Sequence, residues 1–159
     1  MKQYIQPFIQ VGERVFEDFC KTKIEAKKVY FTEKEDYMLD WDISGIIGLS
    51  GEVSGAVAIS MKDITAYRIA ETLMGMKFSS FEKEVTASVG EIVNIISGNV
   101  KKDFEEELRI KISLPTIITG RAHKIDWPSG KARIICIPFS VYSDQELYLS
   151  VAVDSSKSK

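Results

Sequence analysis

The sequence predicts an α+β fold, an antiparallel-rich β-sheet packed against long helices and built from two related half-domains. Three observations carry that prediction. Apolar residues recur at spacings of three and four over 5–20, 63–74 and the stretch from Ser79 to about Glu107, the period of amphipathic helices. Elsewhere the pattern turns to β-rich runs with hairpin-like turns or strict alternation. Finally, Val11-Gly12-Glu13-Arg14-Val15 returns about half the chain later as Val89-Gly90-Glu91-Ile92-Val93, on a predicted helix both times. A similar order of elements follows each copy, which points to duplication rather than a solenoid, for which at least three repeats are needed.

The first helix presents Phe8, Val11, Val15 and Phe19 as its apolar stripe. Two β-rich runs follow, Ile43–Leu49 and Gly55–Ile59, around a turn at Ser50-Gly51-Glu52-Val53; their internal glycines predict bulges or close backbone contacts. Over 63–74 the helical face is Ala66, Ile69, Ala70 and Leu73, with Asp63 as the expected N-cap and Gly75 at the C-terminal end. Ser79 and Glu82 have the spacing of a capping box opening the long helix. A strand is expected near Leu108–Ser113, a loop from Pro115 through Trp127-Pro128-Ser129-Gly130, and two last strands at Arg133–Phe139 and Leu147–Val153 with a turn at Asp144-Gln145. Residues 1–154 form one domain on this reading, and the polar residues 155–159 a tail.

Composition narrows the function classes. The 159 residues carry a formal net charge of −2, so the chain lacks the basic surface that nucleic acid or anionic lipid requires. Neither a secretory leader nor an apolar run of about 18 residues is present, and a cytoplasmic protein without membrane insertion is expected. Cys20 and Cys136 have no CxxC partner and no histidine at metal-ligand spacing, so both read as reduced, buried thiols and no metal site is expected. His123 lies in a polar stretch with no nucleophile nearby in sequence and reads as a surface residue. Asp40 and Asp42 flank Trp41 on what reads as the solvated side of a strand, and Glu105-Glu106-Glu107 as an exposed helix end. No Walker loop, GxGxxG, HExxH or GxSxG motif occurs.

The remaining chemistry sits on the long helix. At 100° per residue Val85, Val89, Ile92, Ile96 and Val100 gather on one side and face the core. Glu91 and Asn94, at i and i+3, lie on the opposite side within about 60° of one another. Ala87 and Gly98 fall on the same exposed strip, so two polar groups are framed by residues with almost no side chain. Gly90 and Gly98 each cost about 1 kcal/mol relative to alanine in a helix interior, and Asn94 also lowers helix propensity. A solvated helix face with glycines at packing contacts is the ordinary reading of such a strip. An approach surface for a partner's active-site rim is the functional one.

Gly90-Glu91-Ile92-Val93-Asn94-Ile95-Ile96-Ser97-Gly98-Asn99 resembles the Glu-x-x-Asn phosphatase helix of the CheC/CheX/FliY family, and the hairpin around Leu49–Gly55 is similar to that family's strand pair. The resemblance runs over essentially the whole chain. It implies a CheC-like fold and a phosphatase that removes the aspartyl phosphate of a phosphorylated CheY-like response regulator. Glu91 and Asn94 are then the catalytic pair. Asn94 orients the attacking water and Glu91 reaches a lysine of the regulator, with Ala87, Gly98 and Lys101 contacting that partner. The chain needs no cofactor of its own on this view; Mg²⁺ belongs to the regulator, and a homodimer is expected. Three positions depart from the family pattern. Ala87 stands where the family has Asp or Ser, Pro115 follows Asn94 at a slightly shorter spacing than the family's proline, and Phe16 replaces the Asn of a first-half site. Glu13 is therefore a vestige, and the chain resembles the one-site branch. A noncatalytic CheY-binding or flagellar-switch-related module is the alternative from another class.

Overall fold

A computed structural model describes residues 2–34, 37, 40–127 and 133–154. Helix α1 (Lys2–Asp18) precedes the short strands β1 (Ile24–Ala26) and β2 (Tyr30–Thr32) and the hairpin β3 (Ile43–Gly51) and β4 (Ser54–Met61). Helices α2 (Asp63–Met74) and α3 (Lys83–Phe104) come next, then β5 (Ile110–Ile112), β6 (Thr116–Thr119) and a second hairpin, β7 (Ile134–Val141) and β8 (Gln145–Asp154). All pairings among these strands are antiparallel, in the order β1-β7-β8-β4-β3-β5, with β2 also on β7 and β6 also on β3.

This topology makes the duplication visible. Each half contributes a helix, two short strands and a long hairpin. The short strands of each half cross to the other half's hairpin: β1 and β2 pair with β7, while β5 and β6 pair with β3. The two hairpins meet through β4 and β8, in register from Ser54↔Asp154 to Met61↔Leu147. Pro138 explains why β1 and β2 are separate. It lies on β7 between the stretches that pair with them and has no N–H to donate; the neighbouring chain leaves the ladder there, and the Lys27 N–H donates to the Pro138 carbonyl at 2.8 Å.

Alternation along the strands gives the sheet two packed faces. Val57, Ile59 and Met61 of β4 and Leu147, Leu149 and Val151 of β8 turn toward α1 and α3 and form the main core. Ala56, Ala58, Cys136 and Ala152 face the other way, against Ile125 and Trp127. Trp127 also meets the Tyr37 ring edge-on at 5.2 Å. Both cysteines are buried and free, and burial alone pushes the Cys20 thiol up to about 12.

Several expectations are corrected. The short strand β6 lies where a loop is expected, and β1 and β2 fall in a stretch for which the sequence predicts no element. Asp63 is the first helical residue of α2, not its cap; Lys62 occupies the cap position, and the Asp63 N–H donates to the Asp42 carboxylate at 3.0 Å. Gly75 does end α2, in the left-handed region at φ 69°. The Ser79–Glu82 capping box does not form. Glu82 is itself the N-cap of α3, with no side-chain cap bond. That helix ends at Phe104, three residues short of the expected Glu107. Asp40-Trp41-Asp42 precedes β3 instead of lying on a strand, and the last hairpin turns at Tyr142 and Ser143, both at positive φ. The expected tail at 155–159 and the Pro128-Ser129-Gly130 part of the loop fall outside the described residues.

Candidate functional site

Helix α3 carries the candidate site because its two sides differ so sharply. Val85, Val89, Ile92, Val93, Ile96 and Val100 are buried. Glu84 stands in the first turn, and Lys101 and Lys102 in the last, matching the charge of each end to the helix dipole. The helix lies close on the sheet. A β-carbon on Gly45 of β3 would stand 3.1 Å from Val93 and 3.2 Å from Val89, a contact that only a residue without a side chain leaves relaxed. Gly90 admits a second close neighbour, since a β-carbon there would meet Ile117 at 3.3 Å and Pro115 at 3.6 Å. The segment leading into β6 is thus packed against α3 beside Glu91.

Ala87 and Glu91 are exposed on the opposite side, and Asn94 and Gly98 are half-exposed. Nothing lies within 4 Å of where a Gly98 β-carbon would be. The strip deduced from the helical wheel is therefore assembled as expected. Lys101, half-buried one turn further on, has its ammonium 3.8 Å from the Glu105 carboxylate. Two asparagines on α3 make an instructive pair. The Asn99 side chain donates back to the Ile95 carbonyl at 2.8 Å and is spent within its own helix. The side chains of Asn94 and Glu91 have no hydrogen-bond or ion-pair partner among the described residues. A free carboxamide presents one donor edge and one acceptor edge in a rigid plane, and a free carboxylate one turn away can meet a cation.

The related position in the first half is closed. Phe16, standing where a second asparagine would be, is completely buried. Glu13 is half-buried, and its carboxylate accepts the Ala26 N–H at 3.3 Å, which ties α1 to β1.

His123 is corrected from a surface residue to a half-buried one. Its Nδ1 lies 2.8 Å from the Gly120 carbonyl and its Nε2 2.7 Å from Ser44 Oγ, which in turn is 2.6 Å from Ser60 Oγ. With the Nδ1 proton on Gly120, Nε2 accepts from Ser44. Ser44 is fully buried and, among the described residues, no carboxylate joins the chain of bonds, so the network pins the 120–123 segment to the sheet. Ser44 and His123 are 79 residues apart, and no local signal connects them. Asp40 pairs with Lys62 at 3.0 Å, and Asp42 serves α2. No cluster of three or more potential metal ligands occurs among the described residues, nor any helix long and apolar enough to cross a membrane.

Against known proteins, residues 43–140 match the family described as Chemotaxis phosphatase CheX. The chain belongs to that family. The CheX match takes in β3 through nearly all of β7, and with them the whole of α3. A CheY-P phosphatase CheX from Thermotoga maritima is 27% identical over 112 residues, which cover 69% of this chain and 70% of that relative. The crystal structure of chemotaxis protein CheX from Vibrio vulnificus superposes with a TM-score of 0.85 at 23% identity, covering 96% of this chain and 99% of that one. A chain of the CheX–CheY–BeF3–Mg²⁺ complex from Borrelia burgdorferi does so at 0.81 and 27% identity, over 94% and 97%.

Proposed function

We propose that this chain hydrolyses the aspartyl phosphate of a CheY-like response regulator in the cytoplasm, using Asn94 to aim the attacking water and Glu91 to dock. The observation that carries the reading is the free Asn94 carboxamide on an exposed, small-residue strip, beside an Asn99 that is consumed within the helix. CheX membership and the solved complex of a relative with CheY, BeF3 and Mg²⁺ support it. An acyl phosphate is already activated, and its Mg²⁺ belongs to the regulator, so positioning and charge are what a phosphatase must add. The carboxamide holds water in line with the phosphorus–oxygen bond that breaks; the phosphoryl group leaves as inorganic phosphate and the aspartate is regenerated. Glu91 pairs with a regulator lysine in a charge-assisted bond that fixes the helix in register. Ala87 and Gly98 keep the rim clear, and Lys101 adds a cation at its end. The chain acts as a homodimer joined at a sheet edge.

The test is phosphate release from a regulator charged with acetyl phosphate. Asn94→Ala lowers kcat by about 10²-fold, equivalent to about 2.7 kcal/mol of barrier, with little change in KM. Glu91→Ala raises KM as well. Full activity in Asn94→Ala overturns the role given to Asn94, and binding of the charged regulator without turnover by the native chain leaves only a docking module.

A further inference from the structure

Leu114 is 86% exposed, the most exposed large apolar side chain among the described residues. One exposed leucine is ordinary on a protein surface. This one differs in how firmly it is held and in where it stands. The Ser113 N–H donates to the Gly48 carbonyl at 2.9 Å, and the Gly48 N–H returns a bond to Ser113 Oγ at 2.8 Å. The Ser113 hydroxyl then donates to the carbonyl of Leu114 itself at 2.8 Å. Pro115 follows, fixing its own φ and keeping Leu114 extended. A leucine on so constrained a backbone loses little further freedom on binding.

Its place follows from Gly90. Pro115 comes within 3.6 Å of where a Gly90 β-carbon would be. On the helix, Ala87, Gly90 and Asn94 stand at i, i+3 and i+7 and share one edge. The loop bearing Leu114 therefore borders the strip along the edge that carries Asn94. A partner that presents an acyl phosphate to Asn94 therefore comes in beside this loop.

We propose that Leu114 is a docking anchor for the same partner, seating in an apolar patch beside the acyl-phosphate pocket of the regulator's receiver domain while Glu91 and Asn94 enter that pocket. The inference rests on the function proposed for the strip. Leu114 supplies the apolar contact of a site whose other members are polar or nearly without side chains. It is a specificity-determining residue and touches no reacting atom.

Full-length Leu114→Ala, Leu114→Asp and Leu114→Met are compared with the native chain in phosphate release over a range of charged-regulator concentrations. Leu114→Ala raises KM about 10-fold at constant kcat, and Leu114→Asp raises it further. Leu114→Met restores KM to within about twofold, since methionine re-fills an apolar contact. The melting temperature stays constant throughout, because the side chain is in solvent. A KM within twofold of native in both Leu114→Ala and Leu114→Asp overturns the proposal, as does a change in sedimentation without a change in KM, which would make Leu114 a contact between copies of this chain. Asn94→Ala run in parallel separates the two claims. If it turns over fully, the reading of the strip fails; if it loses turnover while the Leu114 variants stay native, only the anchor fails.

Discussion

Phe16 and Asn94 hold matching positions in the two copies of a Val-Gly-Glu-x-Val helix, yet one is sealed in the core and the other is open to a partner. Their surroundings make the difference hard to reverse. Phe16→Asn places a carboxamide where a ring is completely buried, losing packing worth about 3–5 kcal/mol and stranding an amide without a partner. The melting temperature falls steeply, and an Asn94→Ala chain carrying the change gains no phosphate release. A second active position appearing in that double variant would show that the first half is latent and not closed. The strip of Ala87, Glu91, Asn94 and Gly98 was legible because a helix writes its faces into the spacing of its residues. The bond from His123 to Ser44 was not, because it joins residues 79 apart that only the finished sheet brings together.

Helix α3 shows a cost of function at the scale of an element. Gly98 has nothing within 4 Å of its missing β-carbon, so packing does not require it. Alanine there gains about 1 kcal/mol of helix propensity, enough to raise the melting temperature by about 2–4 °C in a protein of this size. The same methyl stands on the strip proposed for docking, and Gly98→Ala is expected to raise KM for the charged regulator severalfold. Calorimetry and phosphate release on one preparation check both halves; a gain in stability with unchanged KM removes Gly98 from the interface. Long periodic elements such as α3 and β8 could be read directly. The three-residue strands β1 and β2 are too short to stand out from their flanking residues, whereas β5 was legible because Leu108, Ile110 and Ile112 alternate with Arg109 and Lys111. The caps of α2 and α3 misled for another reason. At the start of α2 the Asp63 N–H is met by Asp42 from outside the helix, a tertiary contact to which a local cap motif is blind, and the Ile64 N–H by the Asp63 carboxylate.

At the scale of the whole molecule, duplication leaves two comparable sheet edges with different neighbours. The edge formed by β5 and β6 runs into the loop packed against α3 at Gly90, beside the strip. The edge formed by β1 and β2 lies at the far end of the sheet and exposes Tyr30 and Phe31, 42% and 41% accessible. The exposed rings give this edge apolar surface that a second copy would cover, and pairing there leaves the strip free in both copies. The homodimer proposed above is therefore expected to join through β1 and β2. Sedimentation equilibrium at micromolar concentration reads a two-chain mass for the native protein. Phe31→Glu, which places a charge on that edge while leaving α3 untouched, reads a one-chain mass. Because each strip is complete within its own chain, the separated Phe31→Glu chains keep kcat per chain within about twofold. A one-chain mass for the native protein would remove the dimer. A variant that stays dimeric would move the contact to another surface, and loss of turnover on separation would mean that the partner copy completes the site.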